Sequence, residues 1–227
     1  MKALMLGSIG VVAETSNLQR KAYNEAFKQA GLDWEWDQEL YQELLGFSGG
    51  LARLEMLAKA TKTELSDDLI KEIHTTKTQV ACELVREEVS QARAGVADLI
   101  ASAKEQGVEV FWVTSTGKEN VGAILDACSD LSEDDFKKIY LREDCENGKP
   151  SPDIYQKALQ DNGLKPEEVL VIEDSLPSIL AAKRAGLEVV GFPGEMHQGT
   201  LEGVADPVVS DLGELVDSLK GSVAAAA

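Results

Sequence analysis

The stretch that most constrains this chain runs over residues 169–186, VLVIEDSLPSILAAKRAG. Four apolar residues, 169–172, read as a strand buried on both faces. Two carboxylates, Glu173 and Asp174, follow it at once. Ser175 is placed to cap a helix beginning near Leu176, Pro177 suits its first turn, and Gly186 ends it. A strand feeding directly into a helix belongs to an α/β sheet, where ligands bind in the crevice beyond the strand ends. Acidic residues there either hold a divalent cation through hard oxygens or are solvated loop acids, and both readings stand at this point.

The chain opens with a short apolar strand over 2–6, then Gly7-Ser8-Ile9-Gly10 and the apolar pair Val11-Val12. Ser16 and Gln19 have the spacing of a capping box. Leu18, Ala22, Ala26, Phe27 and Ala30 follow at helical spacing, and Gly31 ends that helix. Trp34 and Trp36, in the connection after it, either pack the end of a helical subdomain or line a ligand entrance. From residue 38 to about 89 the pattern is helical throughout. Leu40, Leu44 and Leu45 mark one segment, Leu51, Leu54 and Leu57 a second, and Leu69, Ile73, Val80 and Leu84 a long third. Ser48-Gly49-Gly50 breaks the first from the second, and Arg53 lies one turn into the latter. Helices with no strand among them, after a single strand, predict an inserted bundle.

After residue 93 strands and helices alternate. The pattern predicts a helix over 96–106, a strand over 108–113, a helix with Val121, Ile124 and Leu125, and a weaker strand over 138–141. A helix over 153–162, strands over 189–192 and 208–209, and a last helix over 212–219 complete it. Such alternation argues a parallel sheet covered on both faces. The expected division is an α/β core of residues 1–14 and 92–220, a helical cap of 15–91, and a mobile tail of 221–227.

A formal charge of −18 over 227 residues sets the chain against nucleic acid and anionic membranes. No apolar run reaches membrane-spanning length, and no secretory leader is read at the start. Cys82, Cys128 and Cys145 fit neither a disulfide framework nor a zinc site. The expected setting is therefore cytoplasmic, or the plastid stroma if a transit peptide was removed. His74 and His197 have no partner at metal-ligand spacing and are read as ordinary.

Three strand ends carry groups with chemistry. The turn Thr114-Ser115-Thr116-Gly117 offers hydroxyls and backbone N–H groups at a helix start, a phosphate seat or simply a cap. Lys149 is restrained between Gly148 and Pro150. A hydroxyl turn, a positioned lysine and a diacid together make a site for a phosphate and a cation.

At these motifs the chain resembles the haloacid dehalogenase (HAD) superfamily, in its branch of sugar-phosphate phosphatases and β-phosphoglucomutase with a small helical cap. The resemblance covers essentially residues 1–220. VTST with Thr114, GKPSPDIY with Lys149, and VIEDS with Glu173 and Asp174 stand as the second, third and fourth family motifs. GLDWEWDQELYQELL, Gly49-Gly50 with Arg53, and Ala13-Glu14-Thr15 resemble the cap and hinge of the CbbY-type sugar-bisphosphate phosphatases associated with carbon fixation. The resemblance implies a Rossmannoid, doubly wound parallel sheet with an inserted cap, and magnesium as cofactor. It also implies Arg53 on a distal phosphate and Glu14 near the substrate.

The first motif departs from the family. Where the family has Asp-x-Asp-Gly, this chain has Gly7-Ser8-Ile9-Gly10. In the family the first Asp is the nucleophile and a magnesium ligand, and the second is the general acid/base; Gly7 and Ile9 can do neither. Ser8 is the nearest hydroxyl, and strand alternation turns it away from positions 7 and 9. Magnesium would keep Asp174, Glu173 and a backbone carbonyl, with weakened binding. The expectation is a degenerate protein without phosphatase activity, binding a phosphorylated small molecule or docking on a protein as a regulatory module. Two alternatives stand beside it: an active magnesium-dependent sugar-(bis)phosphate phosphatase with a rearranged mechanism, and a structural subunit of a larger complex.

Overall fold

Five strands make one parallel sheet in the computed structural model, which describes residues 1–47 and 49–216. They are β1 (Ala3–Leu6), β2 (Glu109–Val113), β3 (Lys138–Tyr140), β4 (Val169–Glu173) and β5 (Glu188–Gly191), in the order β3-β2-β1-β4-β5. The apolar β1 is central and wholly buried. Its register sets Leu6 beside Trp112 of β2 and Ile172 of β4. The chain therefore leaves all three inner strands at one edge, which brings Gly7, Thr114 and Glu173 together. That edge is the place the strand-diacid-helix segment anticipates.

Alternate residues of the continuous apolar strands serve opposite faces. Leu4, Leu6, Trp112 and Ile172 join Ile100 of α5 (Val96–Glu105) and Ile124 of α6 (Lys118–Ala127) in one core. Met5, Phe111 and Val171 join Tyr155 of α7 (Asp153–Asn162) and Ile179 of α8 (Leu176–Arg184) in the other. The sheet is thus covered on both faces, as the alternation predicts.

Between β1 and α5 lie only helices: α1 (Ser16–Gln29), α2 (Gln38–Leu44), α3 (Gly50–Thr61) and α4 (Asp67–Glu88). They enclose a third cluster built on Tyr23, Phe27, Trp36, Tyr41, Leu54 and Ile73. Trp36 is its centre, with ring centroids 4.3 Å from Tyr23, 5.0 Å from Phe27 and 5.8 Å from Tyr41. Its N–H donates to Asn24 Oδ1 at 2.7 Å, and its carbonyl accepts from Arg20 and Asn24, each at 2.9 Å. Trp36 packs the subdomain, and Trp34 meets Phe27 edge-on at 5.4 Å.

Local details differ from the sequence reading. Ser16 is the first residue of α1, and Gln19 turns to Asn120 on α6, so no capping box forms there. Ser175 occupies the N-cap position of α8 without a capping hydrogen bond. Residues 208–209 contribute one bridge, Val208 to Gly191, rather than a strand. Residues 213–216 are helical, while the remainder of the expected last helix and the tail 221–227 lie outside the described residues. No helix among the described residues is long and apolar enough to cross a membrane. Trp36→Ala should cost about 3–5 kcal/mol, read as a lower urea midpoint; a shift below 1 kcal/mol would mean Trp36 does not anchor the helical cluster.

Candidate functional site

The edge where the inner strands end is the floor of a cavity of about 580 Å³. Its floor includes Thr114, Ser115, Lys149, Glu173 and Asp174, and α1, α3 and α4 supply its roof. Thr114 is buried, with its N–H donating to the Tyr140 carbonyl and its hydroxyl accepting from Thr116 N–H at 2.9 Å. The hydroxyl thus orders its own turn, while Ser115 Oγ accepts from Lys149 N–H at 3.4 Å.

Lys149 and Glu173 form a buried ion pair, 3% and 1% exposed at their side chains. The ammonium also donates to the Val113 carbonyl at 3.0 Å and contacts Tyr155 Oη at 3.2 Å. Tyr155 Oη donates to Glu173 Oε1 at 2.5 Å. Burial, and then the Glu173 charge, hold the Tyr155 phenol well above its usual range. Asp174 is buried beside this charge. Desolvation, then Glu173, push it up to about 8, so without a cation it keeps its proton at neutral pH.

The first loop fits against this diacid. A side-chain carbon at Gly7 would collide with Glu173 Oε2, and one at Gly10, where φ is +80°, would collide with Asp174 Oδ2. Glycine at 7 and 10 therefore leaves room into which both carboxylates lean. Ile9 lines the cavity as an apolar group. Ser8 also lines the cavity, and its Oγ is buried without a hydrogen-bond partner. Arg93 fastens this loop from behind. It donates to the Gly10 carbonyl, to the Phe192 carbonyl at 3.3 Å and to the Pro193 carbonyl at 3.2 Å.

Arg53 lines the cavity, with Nε donating to the Phe47 carbonyl at 2.9 Å and the Leu44 carbonyl at 3.1 Å. Its remaining N–H groups have no carboxylate partner among the described residues. Glu14 does not line the cavity. Its two oxygens accept from Ser16 N–H at 3.0 Å and Glu195 N–H at 2.7 Å, joining the start of α1 to the loop after β5.

Sequence reasoning missed several lining residues. Lys77 stands one turn from His74 on α4, its ammonium 4.9 Å from the Tyr23 ring centroid, with no carboxylate partner among the described residues. Burial, then Arg53, lower Lys77 to about 7, and burial, then Lys77 and Arg53, lower His74 to about 4. The His74-x-x-Lys77 spacing is a signal, since residues three apart share a helix face. His197, read as ordinary, also lines the cavity, with Nε2 3.7 Å from Asp174 Oδ2. Burial holds its pKa down, which works against an ion pair in this approach. Nothing in the local sequence marks it.

A sheet edge of this order, carrying a hydroxyl turn, a lysine and a diacid beneath a helical roof, defines a class. The family model of haloacid dehalogenase-like hydrolases matches residues 10–192, and the chain belongs to that family. The matched span begins just past Gly7 and Ile9. Protein CbbY of Cereibacter sphaeroides is 36% identical over 216 residues, which is 95% of this chain and 94% of that protein. Protein CbbY of Rhodobacter capsulatus is 37% identical over 213 residues, covering 93% and 94%. Two crystal structures of CbbY from Rhodobacter sphaeroides, at 36% identity, superpose with a TM-score of 0.88 and cover 95% of this chain and 96% of theirs. One is a mutant in complex with xylulose-(1,5)bisphosphate, and the other is in complex with phosphate.

These likenesses correct the functional expectation. The degenerate reading, with a pseudoenzyme's role, gives way to the active alternative, because end-to-end relatives include a protein that holds a sugar bisphosphate. The physical reason for the error is specific. The expectation of inactivity rested on the missing carboxylates at Gly7 and Ile9, whereas the Glu173 and Asp174 carboxylates stand beside that loop.

A buried lysine without a counter-charge destabilises the empty protein. Lys77 is lowered from 10.5 to about 7, so between those values the unfolded chain holds a proton that the native state lacks. Stability should rise with pH through that window. Lys77→Met should raise Tm at pH 7 by on the order of 5 °C, with the gap closing towards pH 10.5. A lower Tm for the variant would show that the ammonium is paired.

Proposed function

We propose that this chain is a magnesium-dependent phosphatase acting on sugar phosphates, with sugar bisphosphates as the class that fits best. One observation carries this: a single cavity faces a hydroxyl–lysine–diacid floor towards two roof cations, Arg53 and Lys77, that lack carboxylate partners among the described residues. Unpaired cations around a cavity await an anion. In this reading the Thr114–Ser115 turn and Lys149 seat the phosphoryl group to be released, and Arg53 and Lys77 grip the distal one. Helices α1–α4, within residues 15–91, act as a cap over a core of 1–14 and 92–220, and Glu14 steadies the hinge. The bisphosphate and phosphate complexes of CbbY support the assignment.

Asp174 and Glu173 offer the hard carboxylate oxygens that magnesium takes. Among the described residues no third His, Cys, Asp or Glu joins them, which leaves water and loop carbonyls to complete the shell. Magnesium, when bound, would supply the positive charge that lets a phosphate approach the diacid. Gly7 has no side chain to take the phosphoryl group, so the acceptor in this reading is water, whose oxygen bonds phosphorus as the ester P–O bond breaks and whose proton passes to the departing sugar oxygen. The Thr114–Ser115 turn holds the phosphate oxygens, Lys149 contributes positive charge beneath them, and the carboxylates orient the water by accepting its hydrogen bonds. A cytoplasmic or plastid-stromal setting goes with this reading.

Phosphate release should be seen from sugar bisphosphates with magnesium and fall at least about 100-fold in Asp174→Ala. Arg53→Ala should raise KM for bisphosphates about tenfold or more while changing that for monophosphates less. No release by the wild type across a sugar-phosphate panel would overturn the proposal. Magnesium should also raise the wild-type Tm at pH 7.5 and leave that of Asp174→Asn unmoved; equal shifts would place the cation elsewhere.

A further inference from the structure

The cavity wall carries a pair of amides. Gln19 on α1 and Asn120 on α6 are 4% and 8% exposed, and both line the cavity. Gln19 Nε2 donates to Asn120 Oδ1 at 3.1 Å, joining positions 101 apart in sequence. One acceptor, Gln19 Oε1, and one donor, Asn120 Nδ2, remain without a protein partner among the described residues, and neither is sealed from solvent. Exchanging O and N in both amides leaves the same outcome, one free acceptor beside one free donor.

That combination selects a ligand chemistry. A hydroxyl is donor and acceptor at once, so one hydroxyl can donate to Gln19 Oε1 and accept from Asn120 Nδ2. A phosphate dianion only accepts, and would meet the lone pairs of Gln19 Oε1. An unsubstituted carbon chain would cover both amide groups and leave them unpaired, which is costly in a closed cavity. A site built to hydrogen-bond a hydroxyl strongly rejects the analogue that lacks it.

We propose that the Gln19–Asn120 pair is the specificity element of this site, reading a hydroxyl on the carbon chain of the phosphorylated substrate. This deepens the phosphatase reading and rests on its placing a phosphorylated sugar in the cavity. The pair spans the helical roof and the α/β core, so the hydroxyl is read by both halves of the site together.

Calorimetric binding of the open-chain sugar alcohol glucitol 1,6-bisphosphate and of hexane-1,6-diol bisphosphate tests this, since the two share terminal phosphates and differ in chain hydroxyls. The wild type should prefer the sugar alcohol at least about tenfold. Gln19→Leu and Asn120→Ala, each checked for folding by thermal unfolding, should reduce that ratio to about threefold or less. Their affinity for the diol bisphosphate should equal or exceed that of wild type, since an amide that the bare chain would leave unpaired is gone. Equal loss for both ligands would make the pair a mere strut between helices, and so overturn the proposal. A wild-type ratio near one, or no binding of either ligand, would overturn it without reference to the variants. Selective binding without phosphate release would sink the phosphatase reading and leave the hydroxyl reading standing. Release with a ratio that both variants preserve would do the reverse.

Discussion

The Lys149–Glu173 pair, almost wholly shut off from water, is what the strand ends are built around. Lys149 places its ammonium against the Val113 carbonyl, Tyr155 Oη and Glu173 Oε1, tying the end of β2 to the end of β4 and to α7. A buried pair whose donors are spent in this way holds its neighbours in register, and removing one partner strands a charge at a cost of about 3–5 kcal/mol. With Oε1 taken by Lys149 and Tyr155, Oε2 is left on the side of the first loop, where Gly7 has no side chain to meet it. The bare loop leaves the space that the inward carboxylate occupies.

Much of the fold was legible because its signals are local. The apolar runs at β1, β2 and β4, the glycine after α7 and the amphipathic periods of α2–α4 lie within a few residues of the elements they specify. The errors fall where a long-range partner outbid a local one. Gln19 has capping-box spacing, yet its amide is spent on Asn120, a partner invisible from sequence distance alone. Val208 and Val209 are β-formers, but only Val208 bridges to Gly191, so no ladder develops.

The site divides along the same line. Thr114, Glu173 and Asp174 sit at strand ends, which a parallel sheet brings together, and Lys149 reaches them from the loop between β3 and α7. Lys77, His74, Tyr23 and Tyr41 reach the cavity only through the way the roof helices pack, and His197 through a short turn after β5. Glu14 was expected near the substrate, and its oxygens are instead committed to two backbone N–H groups. The overturned expectation of inactivity rested on Gly7 and Ile9, because residue identity shows which side chain is absent and not which groups stand beside it.

The turn Glu195–His197 joins otherwise separate parts of the molecule. Met196 is buried in the helical cluster with Tyr23 and Trp36, the Glu195 N–H is held by Glu14, and His197 stands beside Asp174. An outward swing of the roof helices must therefore either drag this turn with it or pull Met196 from its socket. Dragging the turn withdraws an imidazole from the acid on the floor and admits water there. Entry of a ligand and the polarity felt by Asp174 are thus worked by the same lever.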